Sequence, residues 1–509
     1  MRFLYSIAGI VCKRGNDAAD LLLKMLSEVQ HRDSNGVGVL INDNLKQVNS
    51  IERLNLERNK AYVSIGSTRL AIINDFEGIQ PIKGCGDFSI ILNGEIYNRL
   101  ELMNELTDHK LLRSIDAEVV IHLFEEQLKK YDLIEAVKRT LGYLDGMYAF
   151  VIAFKDKIII SRDPVGIKPL YLAESNSLIA FASERKALWK IGMTDGIITL
   201  PPGNFAMISR DGTQFHKGIN FKEKIPQKIK FEEVKENLLS LLTRSIEKMI
   251  KYEKLGVLFS GGLDSYLVAH IANILGAKVE LFCSSFSEFR DKQNAFYGAK
   301  NIGLTLHFHE LTLKEIEECL PKILYAIEEP SPLNLSIAIP IYFATKLAKE
   351  KSFKVTLAGQ GSDEIFGGYA RYVRILENNG YRDLHDRLCQ DISDIAVKNL
   401  QRDDGIGMAN GVEIRLPFLD LELLNYAMKI PPEFKIRKIE SNYVRKYILR
   451  SLAKNLDLPE EIINQKKIAV QYGSGAWKAL KRLSEGKGYC DIKKYLQEEF
   501  SKFFKNSKE

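Results

Sequence analysis

The stretch that most constrains this chain is Gly256–Ser265, G-V-L-F-S-G-G-L-D-S. An apolar run ending at Phe259 meets Ser260, Gly261 and Gly262, and an apolar-periodic run follows from Leu263 to Leu275. This reads as strand, tight loop, helix. Two glycines let backbone approach a phosphate with no Cβ in the way, Ser260 and Ser265 add hydroxyl donors, and the helix start points N–H groups at an anion. Asp264 does not fit a pure anion site. A carboxylate beside phosphates needs a divalent cation between them, so Asp264 is expected to be a magnesium ligand.

The loop lacks the Gly-Lys-Ser/Thr ending that accompanies γ-phosphate transfer. S-G-G-x-D-S instead resembles the PP-loop of ATP pyrophosphatases, which cut ATP to AMP and pyrophosphate and adenylate a substrate. A second strand-loop-helix with acids in a Gly/Ser setting runs from Val355 to Tyr369, including Ala358-Gly359-Gln360-Gly361-Ser362-Asp363-Glu364. Facing loops would bring Asp264 and Asp363 to one magnesium ion and one pyrophosphate. Read alone, the second loop is a helix start with acids favourably placed against the dipole.

The 509 residues, 45% hydrophobic and 27% charged, have the balance of a globular protein, and the net charge of +6 forms no nucleic-acid stripe. Neither a nucleic-acid nor a membrane partner is expected, since no apolar run approaches the roughly 18 residues of a span. The six cysteines, Cys12, Cys85, Cys283, Cys319, Cys389 and Cys490, show no C-x-x-C pair and no histidine at ligand spacing. Reduced thiols in a cytoplasmic protein are expected. His307 and His309, two apart on a strand, read as packed or solvated rather than as a metal pair. The polar, Lys-rich stretch 216–230 divides a β-rich half, 1–215, from a half with helical periodicity, 231–509.

In the first half, Ile7–Val11 reads as a buried strand and Leu21–Val29 as an amphipathic helix. His31-Arg32-Asp33, a strand at Gly36–Ile41 and another ending S-T-R-L-A-I-I (67–73) follow, then Phe88–Leu92 running into Asn93-Gly94-Glu95-Ile96-Tyr97-Asn98. Ser114 to Gln127 reads as a helix capped by Asp116. Strands at Tyr148–Phe154 and Lys157–Ser161 precede R-D-P-V-G-I-K-P-L-Y (162–171) and L-P-P-G (200–203). Many strands and two helices predict a layered sheet domain.

These motifs, in this order, resemble the glutaminase half of class II glutamine amidotransferases, and with the loop at Ser260 the whole chain resembles the asparagine synthetase family. The resemblance implies an α+β N-terminal-nucleophile hydrolase-like domain, layered αββα, followed by an α/β PP-loop domain with a parallel sheet. It implies that Arg69 holds the glutamine α-carboxylate and Asp116 and Glu95 its α-ammonium. Asn93 and the Gly94 N–H would form the oxyanion hole, a role suited to fixed donors. Singly, Arg69 is an ordinary ion-pair residue and Asn93-Gly94 an ordinary turn.

The departure is at the nucleophile. The family's cysteine falls on Tyr5 and its following glycine on Ser6, with Met1–Leu4 ahead of the position whose free amine would act as base. A phenol of pKa about 10 is roughly 0.1% ionised at neutral pH and does not replace a thiolate. Cys12 is seven strand residues away, roughly 23 Å, on the other face. Glutamine hydrolysis is therefore expected to be lost or weak, while Arg69, Asn93, Gly94, Glu95 and Asp116 would still bind glutamine or simply preserve the fold.

In the second half, Val234–Ile250 reads as a lead-in helix and Val279–Ser284 as the next strand. Ligands collect at the carboxyl ends of parallel strands, which makes Leu258 and Ser284 the expected adenosine contacts, with Ser260, Gly261, Gly262, Asp264, Ser265, Ala358 and Gly359 completing the ATP site. The segment Asp403–Asp420 resembles the family signature, although its Arg415 suits a structural ion pair equally well. Asn464-Gln465-Lys466-Lys467 resembles the family's R-Q-K stretch, whose lysine meets the adenylate phosphates and matches Lys466 here. The expected function is an amide-forming ligase using ATP and Mg2+, with Asp264, Asp363 and Lys466 catalytic: aspartate is adenylated, pyrophosphate leaves, and ammonia displaces AMP to give asparagine. Partners are small molecules, aspartate with ammonia or glutamine, and a homodimer is compatible with the sequence. The family's second loop reads S-G-E-G-S-D-E, and Gln360 in place of its glutamate keeps open a relative that adenylates another carboxylate, as β-lactam synthetases do. A non-catalytic glutamine-binding regulator is the remaining alternative, against which the paired metal acids argue.

Overall fold

The computed structural model of the protein describes residues 3–14, 17–32, 36–54, 61–71, 78–106, 109, 111–113, 115–219, 221, 225–250 and 254–505. Met1, Arg2, Asp33, Ile72, Ile73 and Ser114 of the segments read above lie outside these residues. The chain divides into two compact units, 1–221 and 222–509, a division that falls within the polar stretch 216–230.

The N-terminal unit contains β1 (Phe3–Tyr5), β2 (Ala8–Cys12), α1 (Ala18–Glu28), β3 (Val37–Ile41), β4 (Asn44–Val48), β5 (Val63–Ala71), β6 (Ile82–Lys83), β7 (Phe88–Ile96), α2 (Arg99–Glu105), α3 (Asp116–Leu128) and α4 (Leu133–Tyr143). It continues through β8 (Gly146–Phe154), β9 (Lys157–Arg162), β10 (Tyr171–Glu174), β11 (Leu178–Ala182), α5 (Arg185–Trp189), β12 (Ile198–Thr199), β13 (Phe205–Ser209) and β14 (Gly212–His216). One antiparallel sheet runs β12-β10-β11-β2-β5-β3-β4 with β1 also on β5, and a second runs β14-β13-β9-β8-β7-β6.

Three apolar clusters define the layers. Ile7, Val11 and Ile179 of the first sheet meet Ile91, Val151 and Ile160 of the second in a core between the sheets. Ile10, Val39 and Ala180 pack outward against Leu22, Met25 and Leu26 of α1 and Leu188 of α5. Leu92, Phe150 and Ile152 pack outward against Val120, Phe124 and Val137 of α3 and α4. The result is helix, sheet, sheet, helix, the αββα arrangement. Strands covered on both faces explain why β2 and β8 read as unbroken apolar runs rather than alternating ones. Two helices were expected here and five form among the described residues: α2 and α5, of 7 and 5 residues, are too short to show a period, whereas α4 matches α1 in length and amphipathic pattern and was passed over. Asp116 does not cap α3. The cap is Ile115, and the Asp116 carboxylate turns instead to the Ile96 N–H at 3.2 Å and to Arg99 at 3.4 Å, tertiary partners that displace the local bond.

The C-terminal unit opens with α6 (Phe231–Met249) and alternates β15 (Leu255–Leu258), α7 (Leu263–Ile274), β16 (Val279–Ser285), α8 (Arg290–Ile302), β17 (Leu306–Glu310), α9 (Leu313–Ile327), α10 (Pro332–Glu350), β18 (Val355–Leu357) and α11 (Ser362–Phe366). Helices α12 (Ala370–Asn379), α13 (Tyr381–Ser393) and α14 (Gln401–Ala409) precede β19 (Glu413–Arg415) and the hairpin β20 (Ile436–Ile439) and β21 (Asn442–Arg445). Five strands form a parallel sheet in the order β17-β16-β15-β18-β19. The chain runs outward on one side of β15 and returns on its other side as β18, so the two loops leaving these neighbours diverge at a topological switch point. No described helix is long and apolar enough to cross a membrane.

Candidate active site

In the C-terminal unit the turn after β15 depends on glycine. Gly261 has φ +70°, and a Cβ there would lie 2.2 Å from the Asn294 backbone. Gly262 caps α7 without any side-chain capping bond, so the first-turn N–H groups have no capping side chain in front of them. The Ser265 hydroxyl donates to the Gly262 carbonyl at 3.1 Å and lies 3.4 Å from the Ser260 hydroxyl. The second loop comes close enough that a Cβ on Gly359 would lie 2.8 Å from Asp264 Cβ.

The loops thereby deliver their carboxylates to one place. Lys446 Nζ lies 2.5 Å from Asp264 Oδ2 and 2.6 Å from Asp363 Oδ1, while Lys467 Nζ lies 2.7 Å from Asp363 Oδ2. The Ser362 hydroxyl donates to Asp264 Oδ1 at 2.9 Å. Burial alone would push the Asp363 carboxyl up, but the Lys446 and Lys467 ammoniums hold it well below the usual carboxylate range. Lys467, partly buried beside Asp363 and Asp264, is in turn held above its ordinary value by their charges. Asp291 has only Lys467 to offset its burial, and its carboxyl is pushed up to about 7.

A cavity opens over this cluster, lined by Leu258, Ser260, Gly262, Asp264, Ser265 and Ser284 from one side and by Ala358, Gly359, Gln360, Asp363, Lys446, Lys466 and Lys467 from the other. Of the expected ATP residues, Gly261 sits behind the lining in the turn, and the Ser284 hydroxyl donates to the Pro340 carbonyl at 2.7 Å. Lys466 is exposed at the cavity; the lysine that reaches the carboxylates is its neighbour Lys467. Two carboxylates reached by a single ammonium present oxygen donors to one point, a set that fits a hard divalent cation.

Sequence reasoning missed Lys446, Lys467 and Ser362. Lys446 follows the hairpin in a Tyr-Val-Arg-Lys run that resembles a solvated face, and its positive φ of 55° is invisible in sequence. Arg415 is a structural residue: fully buried, it donates to Glu413 at 2.6 Å and to the Met249 carbonyl at 2.9 Å. His307 stacks on Phe282 and pairs with Glu280, and His309 stacks on Phe343, so both are packed.

In the N-terminal unit the expected glutamine residues gather around Tyr5. Tyr5 and Arg69 are ladder partners between β1 and β5, and the Tyr5 N–H donates to Asn93 Oδ1 at 3.4 Å. Asn93, Gly94 and Glu95 are consecutive on β7, with Asn93 and Glu95 buried. Gly94, at φ +132°, comes so close to β8 that a Cβ would meet the Met147 carbonyl at 2.0 Å. Arg69 and Asp116 both act electrostatically on the Tyr5 phenol. That phenol is itself buried, donates to the Gly78 carbonyl, and has its pKa pushed far up by desolvation. Cys12 packs in the core beneath α1, where burial raises its thiol to about 11.

Comparison with known proteins accords with both units. Residues 67–190 match the family described as glutamine amidotransferase domain, and residues 237–379 and 376–487 match asparagine synthase. A putative glutamine-hydrolyzing asparagine synthetase of Methanocaldococcus jannaschii is 34% identical over 534 residues, covering 95% of this chain and 96% of that one. Asparagine synthetase 1 of Saccharomyces cerevisiae is 30% identical over 473 residues, with 83% and 77% covered. Among solved structures, glutamine phosphoribosylpyrophosphate amidotransferase of B. subtilis covers 56% of this chain and 67% of its own, at 22% identity and a TM-score of 0.38. The two family matches and the Methanocaldococcus relative put a glutamine amidotransferase domain ahead of an asparagine synthase domain, in line with the antiparallel and parallel sheets of the two units, and the chain belongs to the asparagine synthetase family of ligases.

Proposed function

We propose that the C-terminal unit, from about residue 231, adenylates the aspartate side-chain carboxylate with ATP and passes it to free ammonia, and that the N-terminal unit, to about residue 215, no longer hydrolyses glutamine. The observation that carries the first half is the convergence of Asp264, Asp363, Lys446 and Lys467 at the mouth of two glycine loops. Backbone N–H groups at the start of α7 and the Ser260 and Ser265 hydroxyls suit a triphosphate. Lys446 and Lys467 are placed to meet the charge that grows on pyrophosphate as it leaves. Asp264 and Asp363 would hold magnesium, which when bound supplies neutralisation of phosphate charge. A carboxylate oxygen of aspartate attacks the α-phosphorus, the bond to pyrophosphate breaks, and ammonia then displaces AMP at the acyl carbon, leaving asparagine. Leu258 and Ser284 border the end of the cavity where adenosine would lie, and the exposed Lys466 is available to the adenylate phosphates.

The second half rests on Tyr5. Its phenol is buried, bonded to a carbonyl and far from ionisation at neutral pH, and it occupies the place beside Arg69, Asn93 and Asp116. The position beside Asn93 carries a phenol in place of a thiol, while Arg69, Glu95 and Asp116 retain the charges to hold glutamine.

The test of the carboxylate substrate is pyrophosphate release from Mg-ATP with ammonium and each of a panel of carboxylates. Release that depends on aspartate and yields asparagine supports the reading. Release that ignores aspartate and requires another acid would assign the site with Gln360 to a different substrate, as in β-lactam synthetases.

A further inference from the structure

Away from these residues, in the N-terminal unit, Cys85, His109, His122 and Glu125 present one ligand atom each, all within 4.8 Å of one another. Cys85 lies in the loop between β6 and β7, His109 between α2 and α3, and His122 and Glu125 one turn apart on α3. The sequence carries little sign of it, since the cysteine is 24 and 37 residues from the histidines and only His122 and Glu125 are neighbours on one helix.

Cys85 Sγ lies 3.4 Å from His109 Nδ1 and 3.7 Å from His122 Nδ1. In a tetrahedral zinc site with Zn–S about 2.3 Å and Zn–N about 2.0–2.1 Å, the sulfur-to-nitrogen edge is roughly 3.6 Å. The fourth ligand, Glu125 Oε2, lies 2.9 Å from His122 Nδ1. The imidazole rings sit 4.6 Å apart, and their side chains are 4% and 5% exposed.

Two features set this apart from an ordinary polar cluster. Both Nδ1 atoms face the same sulfur, and His122 Nδ1 also faces Glu125 Oε2, so sulfur, nitrogen and oxygen ligand atoms converge on one point. His109 Nε2 also contacts Glu126 Oε1 at 2.7 Å, the arrangement in which a carboxylate takes the far N–H of an imidazole and leaves its other nitrogen as a lone-pair donor. The loop carrying the cysteine is fixed as well. Glu125 accepts from the Cys85 and Gly86 N–H groups at 3.2 and 2.8 Å, and a Cβ on Gly84 would lie 2.4 Å from Glu125 Oε1.

We propose that Cys85, His109, His122 and Glu125 form a structural zinc site that ties the β6–β7 loop and the segment before α3 to that helix. One thiolate, two imidazoles and a carboxylate favour zinc over magnesium or calcium, and four protein ligands leave no open position for catalysis. Binding releases the thiol proton.

The test uses the full chain without a histidine tag, stripped with chelator and titrated with Zn(II) and, separately, Co(II). The expected result is about one zinc per chain bound with sub-micromolar affinity, a thiolate-to-cobalt absorption band in the near ultraviolet, and a zinc-dependent rise in Tm. Cys85→Ser should remove the band and weaken zinc at least tenfold, His122→Ala should lower the stoichiometry, and Cys490→Ser, at the other exposed cysteine, should change neither. Absence of the cobalt band in the folded parent chain, or equal zinc binding by Cys85→Ser, would overturn the proposal.

Discussion

Asp264 and Asp363, 99 residues apart in the chain, meet through a single ammonium: Lys446 Nζ lies 2.5 Å from one carboxylate and 2.6 Å from the other. Removing that ammonium leaves two like charges on the floor of the cavity and takes a donor from the place proposed for the leaving pyrophosphate. Lys446→Ala is expected to lower aspartate-dependent pyrophosphate release by about 10²-fold or more. A rate within threefold of the parent would show that Lys446 only fills space.

Gly368 is packed against the same pair. A Cβ there would lie 1.8 Å from Asp363 Oδ1 and 2.4 Å from Lys446 Cε, so the Asp363–Lys446 contact must give way. Gly368→Ala should cost activity by at least about tenfold with little change in far-ultraviolet circular dichroism, because the adjustment falls on side chains. Parallel activity and dichroism measurements check it.

Much of this was legible in sequence, for reasons particular to each element. Glycine loops between an apolar strand and a periodic helix mark β15–α7 and β18–α11, because only glycine tolerates the approaches seen at Gly261 and Gly359. Lys446 and Lys467 were not legible: a lysine's sequence neighbours do not say whether its four-carbon stem reaches inward or into water. Helices α2 and α5 were missed because 7 and 5 residues are too few to show a period, so their stability comes from packing; α4, amphipathic and capped by Asp132, carried a signal that was readable. The Cys85 cluster was hidden by distance along the chain, its one local trace being His122 and Glu125 a helical turn apart.

Asp291 makes stability depend on pH. Burial raises its carboxyl from 3.8 to about 7 against the pull of Lys467. The folded state therefore holds a proton that the unfolded state releases, so this stabilisation is full below about pH 4 and is lost as pH rises through 7. Asp291→Asn should gain about 2–3 kcal/mol relative to the parent between pH 5 and pH 8, from two units at 1.36 kcal/mol each. Urea unfolding of the ligand-free protein at both pH values measures the difference; no difference would contradict the assignment.

Arg415 is predicted to matter for folding. It is buried, and its guanidinium holds Glu413 at 2.6 Å and the Met249 carbonyl at 2.9 Å. Arg415→Ala should destabilise by about 3–5 kcal/mol, since breaking one side of a buried pair leaves the other charge in low dielectric. Denaturant midpoints at constant m-value report it.

The central claim is that nitrogen enters as free ammonia because Tyr5 stands where a nucleophile would have to be. The most direct measurement supplies 15N-ammonium together with unlabelled glutamine, with Mg-ATP and aspartate, and reads the isotope in the asparagine amide. The account predicts an amide that carries the ammonium label throughout, with no glutamate released. An amide nitrogen drawn from glutamine, with glutamate appearing in step, would contradict it.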